Sequence, residues 1–335
     1  MGKYLKRRHK VMLVVMALLL LSAALAGCQG KEDKVHITLT EVAHSIFYAP
    51  MYVAIEKGYF EEEGIELELV NGLGADKTMT ALLAGECDIG FMGSESSIYV
   101  YAQGEKDYAV NFAQLTQRAG NFLVGREKDA DFSWDDLKGK TVLGGRTGGM
   151  PQMVFEYILK NKGIDPEKDL TIVKNIDFGL TAEAFASGQG DYSVEFEPYA
   201  ASLEQENEGY VVASLGTESG YVPYTAYCAK KSYIEKNPET IQKFTNAIQK
   251  GLDYVNSHSP QEIAKVIHPQ FAETDAKKLE TIVQRYYEQD TWKTNTVFEQ
   301  DSFELLEDIL VGAGELEKKV PYDELVTTEY SKAAK

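Results

Sequence analysis

Two eight-residue stretches, ALLAGECD at 81–88 and AFASGQGD at 184–191, share the pattern A-x-x-[A/S]-G-x-x-D. In each, a helical run meets a glycine, and an aspartate then leads into a short apolar segment. Glycine there permits the left-handed conformation that ends a helix. The flanking segments match in the same order. Around the first copy the pattern predicts strands at KVHITLTEV, IELELV and CDIGFMG, with helices across APMYVAIEKGYFEEEG and KTMTALLAGE, and a further helix at SESSIYVYAQG. Around the second, strands at KTVLGG, LTIVKN and DYSVEF alternate with helices at PQMVFEYILKNKG and LTAEAFASGQ. The order β-α-β-α-β argues for a largely parallel α/β sheet, and its recurrence argues for two lobes of similar topology.

Two further segments connect the halves. NFAQLTQRAGNFLVGRE carries the chain out of the first lobe, and GYVVASLG followed by YTAYCAKKSYI carries it back. Beyond Asn237-Pro238 the periodicity is helical throughout. The expected division is lobe one at 35–126 and 224–335, lobe two at 127–223. Two crossings make a hinge, and the space between the lobes makes a cleft.

The first residues, MGKYLKRRHK, precede an apolar run and the small-residue finish LSAALAGC. This order describes an export signal, expected at 1–27. The apolar run is shorter than the roughly 20 residues of a membrane span. LAGC resembles a bacterial lipobox, which implies a lipid on Cys28, a tether at 28–34 and a place on the extracytoplasmic face of the cell membrane. Removing the signal removes five basic residues and no acidic one, so the formal charge moves from −18 to −23. Nucleic acid is a poor partner for such a surface, because duplex binding needs clustered positive charge. Cys87 and Cys228 are too few for a disulfide scaffold; they are free thiols or form one bridge.

FYAPMYVAIEKGYFEEEGIELELV, ALLAGECDIGFMG and LKGKTVLGG together resemble the substrate-binding proteins of ABC importers. The similarity is to the nitrate/sulfonate/taurine type, which includes binders of thiamine-pyrimidine precursors. It implies a type II periplasmic-binding-protein fold, an α/β architecture with two lobes, two hinge crossings and a helical C-terminal part. It further implies a small-molecule solute between the lobes, a permease and its ATPase subunit as partners, a monomer, and no cofactor. The alternatives within this resemblance are an alkyl sulfonate or nitrate as ligand, or a pyrimidine-synthesising enzyme relative.

In open parallel sheets, ligands bind outside the carboxyl ends of the strands. The loops expected there are 41–48, 72–77 and 93–97 in lobe one, with 145–151, 177–180 and 195–198 in lobe two. His44, Phe47 and Tyr48 follow the first strand, where rings stack on a planar ligand or pack into the core. Ser94 and Glu95 open a helix, a position that capping alone explains equally well. Arg146, Thr147 and Gly148 belong to GGRTGGMP, which has neither the spacing nor the lysine of a phosphate loop. That turn either touches the ligand or is purely structural. Glu195 and Glu197 share one side of a strand end, with Glu195 the expected ligand contact; Tyr224 lies near the return crossing. Unpaired buried carboxylates favour a ligand that donates hydrogen bonds, so the expectation is an amino-bearing aromatic heterocycle. No metal-binding or nucleophile motif occurs among the five histidines and the serines, so catalysis is not expected.

Overall fold

The structure, a computed structural model, describes residues 34–176 and 179–335. The export signal, the tether and Cys28 lie outside the described residues, as do Asp177 and Phe178 of the expected 177–180 loop.

Two five-stranded sheets organise the chain. The first contains β1 (Val35–Glu41), β2 (Ile65–Asn71), β3 (Ile89–Gly93), β4 (Ala109–Thr116) and β10 (Thr225–Lys230), in the order β2-β1-β3-β10-β4. The second contains β5 (Asn121–Gly125), β6 (Thr141–Leu143), β7 (Thr171–Val173), β8 (Tyr192–Phe196) and β9 (Tyr210–Ser214), in the order β7-β6-β8-β5-β9. β1 pairs in parallel with β2 and β3, and β6 pairs in parallel with β7 and β8. Each sheet also holds one strand that arrives from the other lobe. β10 runs antiparallel between β3 and β4, and β5 runs antiparallel between β8 and β9.

The repeated aspartate has the same task in both lobes. Asp88 accepts a 2.9 Å bond from the backbone N–H of Thr38, and Asp191 accepts a 2.8 Å bond from that of Thr141. Each carboxylate thus binds the strand beside its own, three residues after a glycine (Gly85, φ 78°; Gly188, φ 98°) in the left-handed region. The motif is a helix stop joined to a strand clamp.

Three expectations are corrected. The helix expected across 49–64 divides at Gly58, whose φ of 73° separates Ala49–Glu56 from Tyr59–Glu62. Asn121–Gly125 belongs to the second sheet, so the first crossing falls at 117–120, ahead of the expected boundary at 126. The buried β5 ladder with β8 and β9 is the reason. Nor does the C-terminal part belong to lobe one alone. Pro238–Ser257 does pack on Ala49–Glu56, closely enough that a Cβ at Gly251 would lie 2.2 Å from the Pro50 carbonyl oxygen. Gln300–Ala313, however, packs on Met150–Asn161 of lobe two. Arg285, on helix Ala276–Glu288, pairs at 2.6 Å with both Glu197 and Glu204 of lobe two.

Candidate functional site

A cavity of about 650 Å³ opens between the carboxyl ends of β3 in one lobe and β6 and β8 in the other. That is the size of a site for a small organic molecule. Seven of the ten residues singled out from sequence line it: Tyr48, Glu95, Arg146, Thr147, Gly148, Glu195 and Tyr224.

Glu95 begins the helix Glu95–Ala102 and is 2 % exposed. Its carboxyl folds back over Gly93, where any Cβ would sit 2.1 Å from Oε2. Burial pushes its pKa up to about 8, although its own backbone N–H and that of Met150 pull it down. Oε2 is buried with no hydrogen-bond partner. Glu195 lines the same cavity from lobe two. Burial raises it to about 7, while the hydroxyls of Ser193 and Thr181 (3.0 Å) donate to its two oxygens and oppose the shift. Glu195 is therefore satisfied within the protein and Glu95 is not, which reverses their expected order as ligand contacts.

The glycine turn meets the opposite lobe. The Tyr99 hydroxyl donates to the Gly148 carbonyl at 2.9 Å, and Arg146 pairs with Asp76 at 3.1 Å. The N–H groups of Thr147, Gly148 and Gly149 already donate to Lys174 O, Gln152 Oε1 and Arg146 O. They are spent on shaping the turn, so it does not offer the fan of free donors that holds an anion at a helix start.

Three expected residues do not line the cavity. The His44 ring bonds Glu41 (2.9 Å) and the Gln270 carbonyl (2.8 Å) and stacks on Phe271, because the chain after β1 curls into a short 3-10 turn. The Glu41 contact raises its pKa above the ordinary histidine value. Phe47 is fully buried at the hinge, with its ring against the backbone of Gly120 and its carbonyl accepting from the Trp292 indole at 2.8 Å. The Ser94 hydroxyl donates to the Pro223 carbonyl at 2.8 Å, tying β3 to the return crossing. Glu197 is also structural. Its carboxylate takes the Ala201 N–H at 2.9 Å as well as Arg285.

Sequence reasoning missed Tyr99, Asn121, Thr181, Phe196 and Tyr199, all of which line the cavity, and Glu315, which reaches it from beyond Gln300–Ala313. Arg146 is the single basic residue among the described lining residues, against Asp76, Glu95, Glu195 and Glu315. Among the described residues no group of three or more histidine, cysteine, aspartate or glutamate side chains is placed to hold a metal. No described helix is long and apolar enough to cross a membrane.

Two α/β lobes, two antiparallel crossing strands and a cavity between the lobes define the periplasmic-binding-protein fold. The NMT1/THI5-like family model matches residues 46–263, and the chain belongs to that family. A Bacillus subtilis protein named as a binding protein, YtlA, is 50% identical over 306 residues, 91% of this chain and 92% of that one. The 4-amino-5-hydroxymethyl-2-methylpyrimidine phosphate synthase of Aspergillus parasiticus is 25% identical over 222 residues, 62% of this chain and 63% of the synthase. The alkanesulfonate-binding protein SsuA of Xanthomonas axonopodis pv. citri, solved bound to MOPS, shares the fold. Its TM-score is 0.71 at 15% identity, over 88% of this chain and 99% of that one.

Proposed function

We propose that the chain is the extracytoplasmic solute-binding component of an ABC importer and that its ligand is an amino-bearing aromatic heterocycle, such as a thiamine-type pyrimidine precursor. The observation that carries the ligand reading is Glu95, a buried carboxyl with an unpartnered oxygen in a cavity whose one described cation is already paired. A carboxyl with a pKa near 8 accepts from a ligand amino group when ionised and also donates to a ring nitrogen when protonated. Nitrate, or an alkyl sulfonate without an amino group, brings acceptors only and would face carboxylates. Tyr48, Tyr99, Phe196 and Tyr199 add flat apolar surface for a ring. The pyrimidine chemistry in the name of the Aspergillus relative agrees with this class.

In this mechanism the solute enters between the lobes and contacts both walls. It shifts the protein toward closure by its differential affinity for the two states. The interlobe bonds Tyr99–Gly148 and Arg146–Asp76 belong to the closed arrangement. A permease would read closure, and ATP hydrolysis would take place on a separate subunit.

Isothermal titration tests the ligand class, with 4-amino-5-hydroxymethyl-2-methylpyrimidine, ethanesulfonate and nitrate as probes. The wild type is expected to bind the pyrimidine and neither anion. Glu95→Gln is expected to weaken binding about 10- to 100-fold, the range for a lost charge-assisted hydrogen bond. Anion binding that survives Glu95→Gln and disappears in Arg146→Ala would refute the reading.

The anchor is a separate proposal that rests on the basic start, the apolar run and LAGC. Cys28→Ser is expected to abolish incorporation of labelled fatty acid and to leave the protein unanchored or with its signal uncleaved. Undiminished lipid labelling of that variant would reject Cys28 as the site.

A further inference from the structure

Two cavity-lining side chains among the described residues carry a buried polar atom with no partner: the acceptor Glu95 Oε2 and the donor Asn121 Nδ2. Asn121 opens β5 directly after the first crossing and is 1 % exposed. Its Oδ1 accepts a 2.6 Å bond from the Tyr224 hydroxyl, which stands just before β10 on the return crossing. One side-chain bond therefore joins the two hinge segments at the cavity wall. In this arrangement Oδ1 lies toward Tyr224 and Nδ2 is turned from it.

A buried N–H without an acceptor is costly, and native structures rarely leave one unexplained. The bond to Tyr224 accounts for Oδ1 but not for Nδ2, which has no acceptor among the described residues. We propose that Asn121 is a specificity-determining residue whose Nδ2 donates to an acceptor on the ligand, a ring nitrogen or a carbonyl oxygen. Glu95 takes a donor on the same molecule from the other side. The two orphan atoms thus specify a ligand with both a donor and an acceptor. This rests on the proposed solute-binding role and deepens it, since a purely anionic solute satisfies Nδ2 but not Glu95.

The placement also links recognition to closure. Asn121 pairs in the sheet with Phe196, whose ring lines the cavity, and Tyr224 is bonded to Asn121 from the second crossing. Beside them, at the first-sheet ends of the two crossings, the hydroxyls of Thr116 and Thr225 meet at 2.5 Å within the β4–β10 ladder. A ligand held by Asn121 is held by the hinge itself.

The test is calorimetry with a matched pair of probes, 4-amino-5-hydroxymethyl-2-methylpyrimidine and its carbocyclic analogue with both ring nitrogens replaced by CH. The wild type is expected to prefer the pyrimidine about 10- to 100-fold, since the analogue leaves Nδ2 unpaired. Asn121→Asp keeps the acceptor for Tyr224 and removes the donor, and it is expected to lose most of that preference. Asn121→Ala serves as a second variant, each being checked for folding by its melting curve. Equal wild-type binding of the two probes overturns the inference without any variant, and so does a preference that persists in folded Asn121→Asp. Failure of the wild type to bind either probe overturns both this inference and the heterocycle reading. Binding without preference overturns this one alone.

Discussion

Arg285→Met is expected to lose about 3–5 kcal/mol of folding stability, the cost of stripping a buried charge of its partner. Glu197 is fully buried and meets Arg285 at 2.6 Å, and the second guanidinium nitrogen holds Glu204. Burial already raises the Glu197 pKa, with Arg285 the main influence opposing that rise. Without the guanidinium, Glu197 must take up a proton or stay charged in an apolar site. The loss should therefore be larger at pH 8 than at pH 5. Replacing both partners, Glu197→Gln with Arg285→Met, should recover much of the loss, because the charge left without a partner, Glu204, is partly exposed to solvent. Urea denaturation of the wild type and the two variants measures this. A loss under about 1 kcal/mol in Arg285→Met, the level of an exposed pair, would show that the contact is not the interlobe strut described above.

The second large effect is on pH dependence. Glu95 and Glu195 have folded-state values of about 8 and about 7, both above the ordinary carboxylate value of 4.5. An acid raised on folding binds more protons in the native state than in the unfolded state. Stability is then greatest below the unfolded pKa and falls as pH rises through the interval up to the folded one. The ligand-free protein should lose on the order of a few kcal/mol between about pH 5 and pH 8. Glu41 and His44, both raised, add to the same slope. Glu95→Gln isolates the site's share. It should melt close to the wild type at pH 5 and several degrees above it at pH 8. A constant difference between the two across that range would contradict a buried, protonated Glu95.

Much of this was legible in the sequence because it depends on local rules. The glycine stop and the aspartate clamp at 85–88 and 188–191 are set by neighbouring residues, so their recurrence revealed the two-lobed plan. The same logic brings Glu95, Glu195 and the 145–151 turn to the cavity wall, since strand ends face the cleft. Local rules reach no further where distant segments decide. His44 and Phe47 occupy the right loop, yet Gln270, Phe271 and Trp292 come from the C-terminal helices and draw both residues away from the cavity. Asn121 was overlooked because it was assigned to a connecting run, and only the β5 ladder shows that its buried amide lines the site. Glu315 arrives from a segment whose periodicity says helix and nothing more.

The central claim is that the interlobe cavity holds a nitrogen heterocycle for import. The most direct measurement is native mass spectrometry of the full chain purified from its own cells, followed by release and identification of whatever travels with it. The account predicts a retained amino-bearing aromatic heterocycle, lost in Glu95→Gln. A retained sulfonate or nitrate, present equally in wild type and Glu95→Gln, would contradict it.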